Sequence, residues 1–201
     1  MNNQNPITPS EFDKFRKLAS EPGLSEYERI GFPDELRKGI EAIILDDIAQ
    51  KLTNLSKTNK RILDIGPGCG ELARLIITLC AKQDHSLVLT DSEEMLQHLP
   101  NRSGVNKLSG MFPLNANELK NRFGTFDSIL CYSVLQYIYI DADLISFIDA
   151  ALDLLAPGGE LLLGDIPNIS KRRRFFESAA GREFHRQYTK SNTEPPLDEP
   201  G

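Results

Sequence analysis

The stretch RILDIGPGCG, residues 61–70, decides the fold of this chain. A short apolar strand ends at Asp64, and three glycines follow at alternate positions. The residues from Glu71 onward carry apolar side chains three and four positions apart, which is typical of an amphipathic helix. Glycine allows a tight turn and leaves no Cβ between the main chain and a ligand. The first N–H groups of the helix face the same place. The stretch therefore predicts the first half of a nucleotide-binding βαβ unit.

The glycine spacing separates two classes of ligand. A dinucleotide fingerprint would place its third glycine at position 71, where Glu71 stands, and a negative charge there disfavours a pyrophosphate. A site for NAD, or a glycine turn without a ligand, remains as an alternative. The pattern D-x-G-x-G-x-G resembles motif I of the class I S-adenosylmethionine (SAM) dependent methyltransferases. The resemblance implies SAM as cofactor, with S-adenosylhomocysteine (SAH) as product, and a loop that cradles the methionine part. The residues implied are Asp64, Ile65, Gly66, Pro67, Gly68 and Gly70.

A second strand supplies the next candidate ligand. Residues 87–90 are strand formers, and Asp91 follows at their end, 21 residues after Gly70. A carboxylate at this point accepts hydrogen bonds from both ribose hydroxyls of an adenosine. Ser92 is a plausible N-cap for a helix over Glu93–Leu99. The alternative is that Asp91 is only a cap or turn residue.

The third strand is predicted at Val105–Leu108. The family often has an acidic residue near the adenine after this strand, but Met111 and Phe112 stand there instead. We therefore expect a backbone N–H or these two side chains to contact the ring.

Two later segments complete the resemblance. FDSILCYSVLQYI, residues 126–138, resembles motif IV, in which the tip of the fourth strand lies under the cofactor and faces the substrate. This implies cofactor contacts from Cys131, Tyr132 and Ser133. LLAPGGELLLGD, residues 154–165, resembles the following turn and fifth strand.

The fold class implied is α/β, a Rossmann-like, doubly wound and mostly parallel sheet in the order 3-2-1-4-5. The usual strands 6 and 7 cannot be read in the polar residues after Asp165. An apolar edge at the fifth strand would invite pairing with another chain. We therefore expect a fragment, a homodimer, or both.

The chain divides into three predicted regions: a helical N-terminal extension or lid at 1–58, a SAM-binding core at 59–170 and a polar, partly disordered segment at 171–201. Within the extension, Ser10 caps a short helix, and Pro33 opens a longer one that runs to Leu52. The aromatic residues between these helices either cover the cofactor or only pack the extension onto the sheet.

The last region is predicted to hold one helix ending at Phe175–Phe176 and a disordered tail after Pro195–Pro196. The basic run Lys171–Arg174 is either a solvated helix end or an anion clamp for the acceptor.

Composition excludes several classes of function. A net charge of −6 and a pI near 5.2 disfavour a nucleic-acid partner. No apolar run is long enough for a membrane span, and the polar start lacks the apolar core of a signal peptide, so we expect a cytoplasmic protein without a membrane partner. The three cysteines lack the spacing of metal ligands and are expected to be reduced thiols.

Methyl transfer depends mainly on holding the acceptor in line with the methyl group. A general base assists when the acceptor is a hydroxyl, and the candidates are Asp165, Tyr132 and His185. The chain after the fourth strand lacks the Asn/Asp-Pro-Pro-aromatic motif of amide methyltransferases. We expect methylation of an O or N atom of a small molecule, such as a sugar or nucleotide sugar. The alternatives are a catalytically silent methyltransferase-like subunit and a NAD-type oxidoreductase.

Overall fold

A computed structural model describes residues 10–141, 143–195 and 197, and divides the chain into a unit that ends at Asp165 and a unit that starts at Ile166. The first unit is built on a sheet of five parallel strands in the order β3-β2-β1-β4-β5. The strands are β1 Arg61–Ile65, β2 Ser86–Asp91, β3 Val105–Ser109, β4 Phe126–Tyr132 and β5 Leu155–Gly164. The predicted fold class and strand order are confirmed.

Helices connect the parallel strands, as parallel pairing requires. They are α5 Glu71–Lys82, α6 Glu93–Leu96, α7 Ala116–Phe123, α8 Leu135–Asp141 and α9 Leu144–Leu152. Neighbouring residues of one strand enter opposite cores because side chains alternate across a sheet: Ile62 packs in one cluster with α5, and Leu63 in another with α7 and α9. Both faces of the sheet are covered, so the carboxyl edge of the strands is left for a ligand.

The N-terminal extension forms several short helices rather than two. These are α1 Glu11–Ser20, α2 Glu26–Arg29, α3 Asp34–Arg37, α4 Glu41–Lys51 and a single 3₁₀ turn, Thr53–Ser56. Ser10 caps α1 as predicted, since its hydroxyl accepts a hydrogen bond from the Asp13 N–H at 3.1 Å. The single long helix predicted from Pro33 is wrong: the chain breaks between α3 and α4, where Gly39 has φ of +91°. A left-handed residue cannot continue a right-handed helix.

The second unit contains α10 Ile169–Glu177 and α11 Ala179–Thr189. α10 is the helix predicted to end at Phe175–Phe176 and extends one residue further, whereas α11 was not predicted. Ser178 separates the two, because it ends α10 and its hydroxyl accepts a hydrogen bond from the Gly181 N–H at 3.0 Å at the start of α11. The tail predicted to be disordered, 197–201, lies outside the described residues except for Leu197.

The fifth strand stands at one edge of the described sheet, hydrogen-bonded to β4. Its residues Leu161 and Leu163 are half-buried against the core beside α9. Among the described residues, no helix combines the length and the apolar character needed to cross a bilayer.

Candidate functional site

A cavity opens at the carboxyl edge of the sheet between two walls. One wall, called here the loop wall, consists of the loop 65–70 after β1 together with Asp91 at the end of β2. The opposite wall, called the extension wall, consists of five residues from α2, α3, α4 and their connections. They are Tyr27, Ile30, Phe32, Arg37 and Glu41. The cavity also reaches Met111 and Phe112 after β3 and the tip of β4.

The glycine loop needs glycine for two reasons. Gly66 and Gly68 have φ of +69° and +63°, which side chains rarely adopt. A Cβ on Gly66 would lie 2.6 Å from Cγ2 of Val134, and one on Gly68 would lie 2.7 Å from Cγ2 of Ile30. At Gly70 a Cβ would lie 2.8 Å from Cδ1 of Ile30. The loop therefore presents bare backbone, onto which the extension packs directly.

Asp91 fastens this loop to the second strand. One of its carboxylate oxygens accepts a hydrogen bond from the Gly68 N–H at 2.9 Å, and the other accepts one from the Ser92 N–H at 2.6 Å. Burial raises the pKa of Asp91 to about 6, against the lowering effect of these two hydrogen bonds. Each ionised carboxylate oxygen has a further lone pair, so the group keeps acceptor capacity for a pair of hydroxyls.

The cap of α6 is Ser92 and not Asp91. Its hydroxyl accepts a hydrogen bond from the Met95 N–H at 3.2 Å, and the side chain is 3 % exposed. The interpretation of Asp91 as that cap is therefore wrong, although it still ties two segments of backbone together. The predicted helix Glu93–Leu99 is shorter than expected and ends at Leu96.

Three of the predicted cofactor residues lie behind the cavity wall rather than on it. Ser92 is the helix cap, and Cys131 is fully buried in the core. Asp64 is 2 % exposed, and burial together with the charge of Asp91 raises its pKa to about 8. The other predicted cofactor residues do line the cavity. They are Ile65, Gly66, Pro67, Gly68, Gly70, Asp91, Met111, Phe112, Tyr132 and Ser133.

Met111 and Phe112 form an apolar end of the cavity. Phe112 is buried and meets the Phe147 ring edge-on, with ring centroids 5.0 Å apart. These surroundings suit the flat face of a heterocycle, and together with Asp91 they provide contacts for both the base and the sugar of a nucleoside. The residues present therefore fit the adenosine part of SAM.

The tips of β4 and β5 bring a polar cluster to the other end of the cavity. Ser133 and Asp165 follow their strands with φ of +60° and +55°. The Ser133 hydroxyl donates a hydrogen bond to Oδ2 of Asp165, and Nη1 of Arg37 lies 3.3 Å from the same oxygen. The guanidinium is buried, whereas Asp165 is 42 % exposed, so the carboxylate remains reachable from outside.

Aromatic rings enclose the Arg37 guanidinium. Its central carbon lies 4.7 Å from the Phe32 ring centroid and 5.8 Å from the Tyr132 ring centroid. Gly164, beside Tyr132 in the sheet, leaves room for that ring, since a Cβ there would collide with it. Burial, followed by the charge of Asp165, raises the pKa of Tyr132, so the phenol keeps its proton at neutral pH.

His185 lies in the second unit, on α11, and its ring packs edge-on against Phe176 with centroids 6.0 Å apart. Of the three candidate bases, the structure thus brings together Asp165 and Tyr132. The basic run Lys171–Arg174 lies on α10, also in the second unit.

Polar and aromatic contacts attach the extension to the core. Arg16 on α1 pairs with Glu94 on α6 at 2.7 Å, and Glu26 on α2 pairs with Arg74 on α5. The Phe15 ring meets the Tyr137 ring on α8 edge-on at 4.8 Å. These contacts hold the extension against the core beside the cavity, which Phe15 and Tyr137 help to line. Its role as a lid stays a prediction.

Sequence reasoning missed most of the extension wall. It singled out Tyr27 and Phe32 as aromatics of a covering segment, but not Arg37 or Glu41. The sequence did contain a signal for these two residues. On a helix, positions 37, 41, 44 and 48 would share one face, and charged residues occupy the first two of these positions while apolar residues occupy the last two. Charges on a face that is otherwise buried deserve a search for a ligand or a partner.

The three cysteines are free thiols and buried. In residues 10–141, 143–195 and 197, no group of three or more His, Cys, Asp or Glu side chains is placed to hold a metal ion.

Comparisons with known proteins agree with this geometry. Residues 63–161 match a family model described as a methyltransferase domain. Chondramide synthase cmdD of Chondromyces crocatus is 34% identical over 128 residues, which are 59% of this chain and 3% of that protein. The ubiquinone/menaquinone biosynthesis C-methyltransferase UbiE of Rhizobium johnstonii is 28% identical over 140 residues, 68% of this chain and 53% of that protein. The chain thus spans about half the length of one of these relatives and a small part of the other.

Among solved structures, the plantazolicin methyltransferase BpumL, in complex with SAH and a triazolic desmethylPZN analog, superposes with a TM-score of 0.51 and 16% identity over 90% of this chain and 72% of that one. At this identity the likeness concerns the fold. The matched residues run from β1 to β5 and include the glycine loop and Asp91. Residues 63–161 of this chain are therefore similar to the methyltransferase domain family.

Proposed function

We propose that this chain binds SAM and catalyses transfer of its methyl group to an O or N atom of a small molecule. The observation that carries the proposal is one cavity with two chemically different ends. At one end, Asp91 and the bare glycine loop suit an adenosine and its methionine tail. At the other end, Tyr132 and Ser133 line the cavity and Asp165, bonded to Ser133 and Arg37, stands beside them, an arrangement that suits an acceptor that must lose a proton.

SAM supplies an electrophilic methyl group on a cationic sulfur when it is bound. The largely apolar residues around the cavity exclude water, which favours a reaction that disperses charge. Because Tyr132 keeps its proton at neutral pH, its phenol is a hydrogen-bond donor for the acceptor molecule and not the base.

Asp165 is the proposed base for the acceptor proton. Its Oδ2 accepts a hydrogen bond from the Ser133 hydroxyl and lies 3.3 Å from Nη1 of Arg37, which leaves Oδ1 for the acceptor. Its other oxygen, Oδ1, then takes the proton of an acceptor hydroxyl or ammonium. The role predicted for His185 stays a prediction, as does the choice of a sugar or nucleotide sugar as acceptor.

Calorimetric titration with SAH tests the cofactor part of the proposal. We expect micromolar binding by the native chain and its loss in Asp91→Ala. Asp149→Ala is the matched control, because this exposed carboxylate on α9 removes the same charge away from the cavity. Absence of binding by the native chain would contradict the proposal and favour a scaffold role.

The acceptor part is tested by screening small molecules with radiolabelled SAM, nucleotide sugars first. We expect Asp165→Asn to retain SAH binding and to lose methyl transfer to any acceptor found. An Asp165→Asn variant with native turnover would exclude the carboxylate as the base.

A further inference from the structure

Glu41 is a buried carboxylate whose partners are incomplete. The residue is 3 % exposed and lines the cavity from the start of α4. Its Oε2 accepts a hydrogen bond from the Gly39 N–H at 2.9 Å. Its Oε1 is buried and makes no hydrogen bond of normal distance and angle with the described residues, although the Tyr27 hydroxyl, which is a donor, lies near the same carboxylate. Among those residues, no Lys, Arg or His nitrogen lies within ion-pair distance of this carboxylate. A buried oxygen of this kind is costly unless a donor reaches it.

The neighbours of Glu41 place it beside the glycine loop. The Tyr27 hydroxyl is close to it, and burial followed by this carboxylate raises the pKa of Tyr27 to about 12. The charges of Glu26 and Glu71 act on the same hydroxyl, and Glu71 is the first residue of the helix that follows the loop. Arg74 pairs with both Glu26 and Glu71, so Glu41 is the carboxylate of this group that has no ion-pair partner among the described residues. It lines the same cavity as the glycine loop.

The surroundings of Oε1 of Glu41 favour a cation that carries N–H donors. A sulfonium carries no N–H group and cannot satisfy Oε1. A primary ammonium carries three donors and a positive charge, and charge-assisted hydrogen bonds of this type are the stronger ones. If the loop cradles the methionine part of SAM, the α-ammonium of that part is the group of matching chemistry at this end.

We propose that Oε1 of Glu41 accepts a hydrogen bond from the α-ammonium group of bound SAM or SAH. The inference rests on the proposed function, because it needs the cofactor to occupy the cavity. It makes Glu41 a specificity-determining residue supplied by the extension rather than by the glycine loop. The site would then distinguish SAM and SAH from adenosyl thioethers that lack the amino group.

The test compares two ligands and two variants by calorimetry. The ligands are SAH and its deaminated analogue, in which hydrogen replaces the α-amino group. The first variant is Glu41→Gln, which keeps the shape of the side chain and an oxygen for the Gly39 N–H. The second is Glu71→Gln, the matched control, since Glu71 also lines the cavity but is 43 % exposed and is 3.8 Å from Arg74.

We expect the native chain to bind SAH about tenfold or more tightly than the deaminated analogue. Glu41→Gln should remove most of this preference by weakening SAH alone, while Glu71→Gln should largely keep it. A thermal melt of each variant establishes that it is folded.

Three results would overturn the inference. Equal losses for both ligands in Glu41→Gln would mean a structural role, and unchanged SAH affinity would mean that the carboxylate does not meet the ammonium. An equal loss of preference in Glu71→Gln would assign the effect to the general negative field. A native chain that binds neither ligand would instead contradict the proposed function itself. Asp91→Ala should weaken the binding of both ligands alike, and it therefore shows what a loss that does not depend on the amino group looks like.

Discussion

The two walls of the cavity are built in different ways. The loop wall consists of consecutive residues at a strand end, and its shape follows from backbone geometry at Gly66 and Gly68. The extension wall consists of side chains from α2, α3, α4 and their connections, and its shape follows from how these segments pack. A wall made of backbone tolerates few substitutions, whereas a wall made of side chains is open to change at each position.

The walls also differ in their charges. Asp91 on the loop wall has both carboxylate oxygens engaged by backbone N–H groups. Glu41 on the extension wall has one engaged oxygen and one that makes no hydrogen bond of normal distance and angle with the described residues. Satisfied groups hold a structure together, while an unsatisfied buried group points to a ligand. The difference teaches that a carboxylate on each wall keeps acceptor capacity for a ligand, Asp91 after engaging two backbone N–H groups and Glu41 after engaging one.

The largest effect on SAH binding is expected from Gly68→Ala, which disrupts the contact between the loop wall and the extension wall. The added Cβ meets Cγ2 of Ile30, and the positive φ adds backbone strain of about 1–2 kcal/mol. We expect calorimetry to detect no SAH binding and thermal melts to show a lower Tm. Adding Ile30→Ala should restore space but not conformation, and so recover binding only in part.

Gly158→Ala is the matched control for that prediction. Its φ is +74° and its Cβ would meet nothing within 4 Å. It should lower Tm and leave SAH affinity intact. If both glycine variants lose binding equally, backbone strain rather than contact with the extension wall explains the loss.

A smaller effect is expected from pH. Under the proposed function, ribose hydroxyls donate to the ionised form of Asp91, and the raised pKa of about 6 means that this form is lost as pH falls through that value. SAH affinity should therefore be constant above pH 7 and fall about tenfold per unit well below 6. Asp91→Asn should bind more weakly and lack this pH dependence. A flat profile in the native chain would place the ribose elsewhere.

The smallest effect is expected from the ion pair that fastens α1 to α6. Arg16 and Glu94 are partly exposed, and pairs of this kind contribute little. Arg16→Ala should lower Tm slightly, and the difference should vanish in about 1 M NaCl, where screening is strong. Lys17→Ala, which removes an exposed charge from the same helix, is the control. A difference that persists in high salt would point to lost packing of the arginine stem.

The strands of the fold and the loop wall could be predicted from the sequence because both depend on patterns among neighbouring residues. Three glycines after an apolar strand and an acidic residue at the end of the next strand have their consequences within a few residues of backbone. The strand order, by contrast, was implied by the resemblance to the methyltransferase family, and the structure confirms it. Strand β5 followed from a Pro-Gly-Gly turn before an apolar run.

What the sequence did not predict depends on contacts between distant residues. The break after α3 rests on one glycine inside an apolar period, whose left-handed conformation is accompanied by a hydrogen bond from its N–H to the Glu41 side chain. The pairing of Arg37 with Asp165 joins residues 128 positions apart. The buried position of Cys131 follows from the face of β4 that it occupies, which a motif resemblance does not specify.

The extension places Tyr27, Phe32, Arg37 and Glu41 within fifteen residues of chain. A mutation that reshapes this stretch to admit a new acceptor also displaces the side chains beside the glycine loop. Under the proposed function, a change selected for its effect on acceptor binding would therefore also alter the affinity for the cofactor. Lineages that exchange acceptors should accordingly change this stretch as a block, while the glycine loop drifts little.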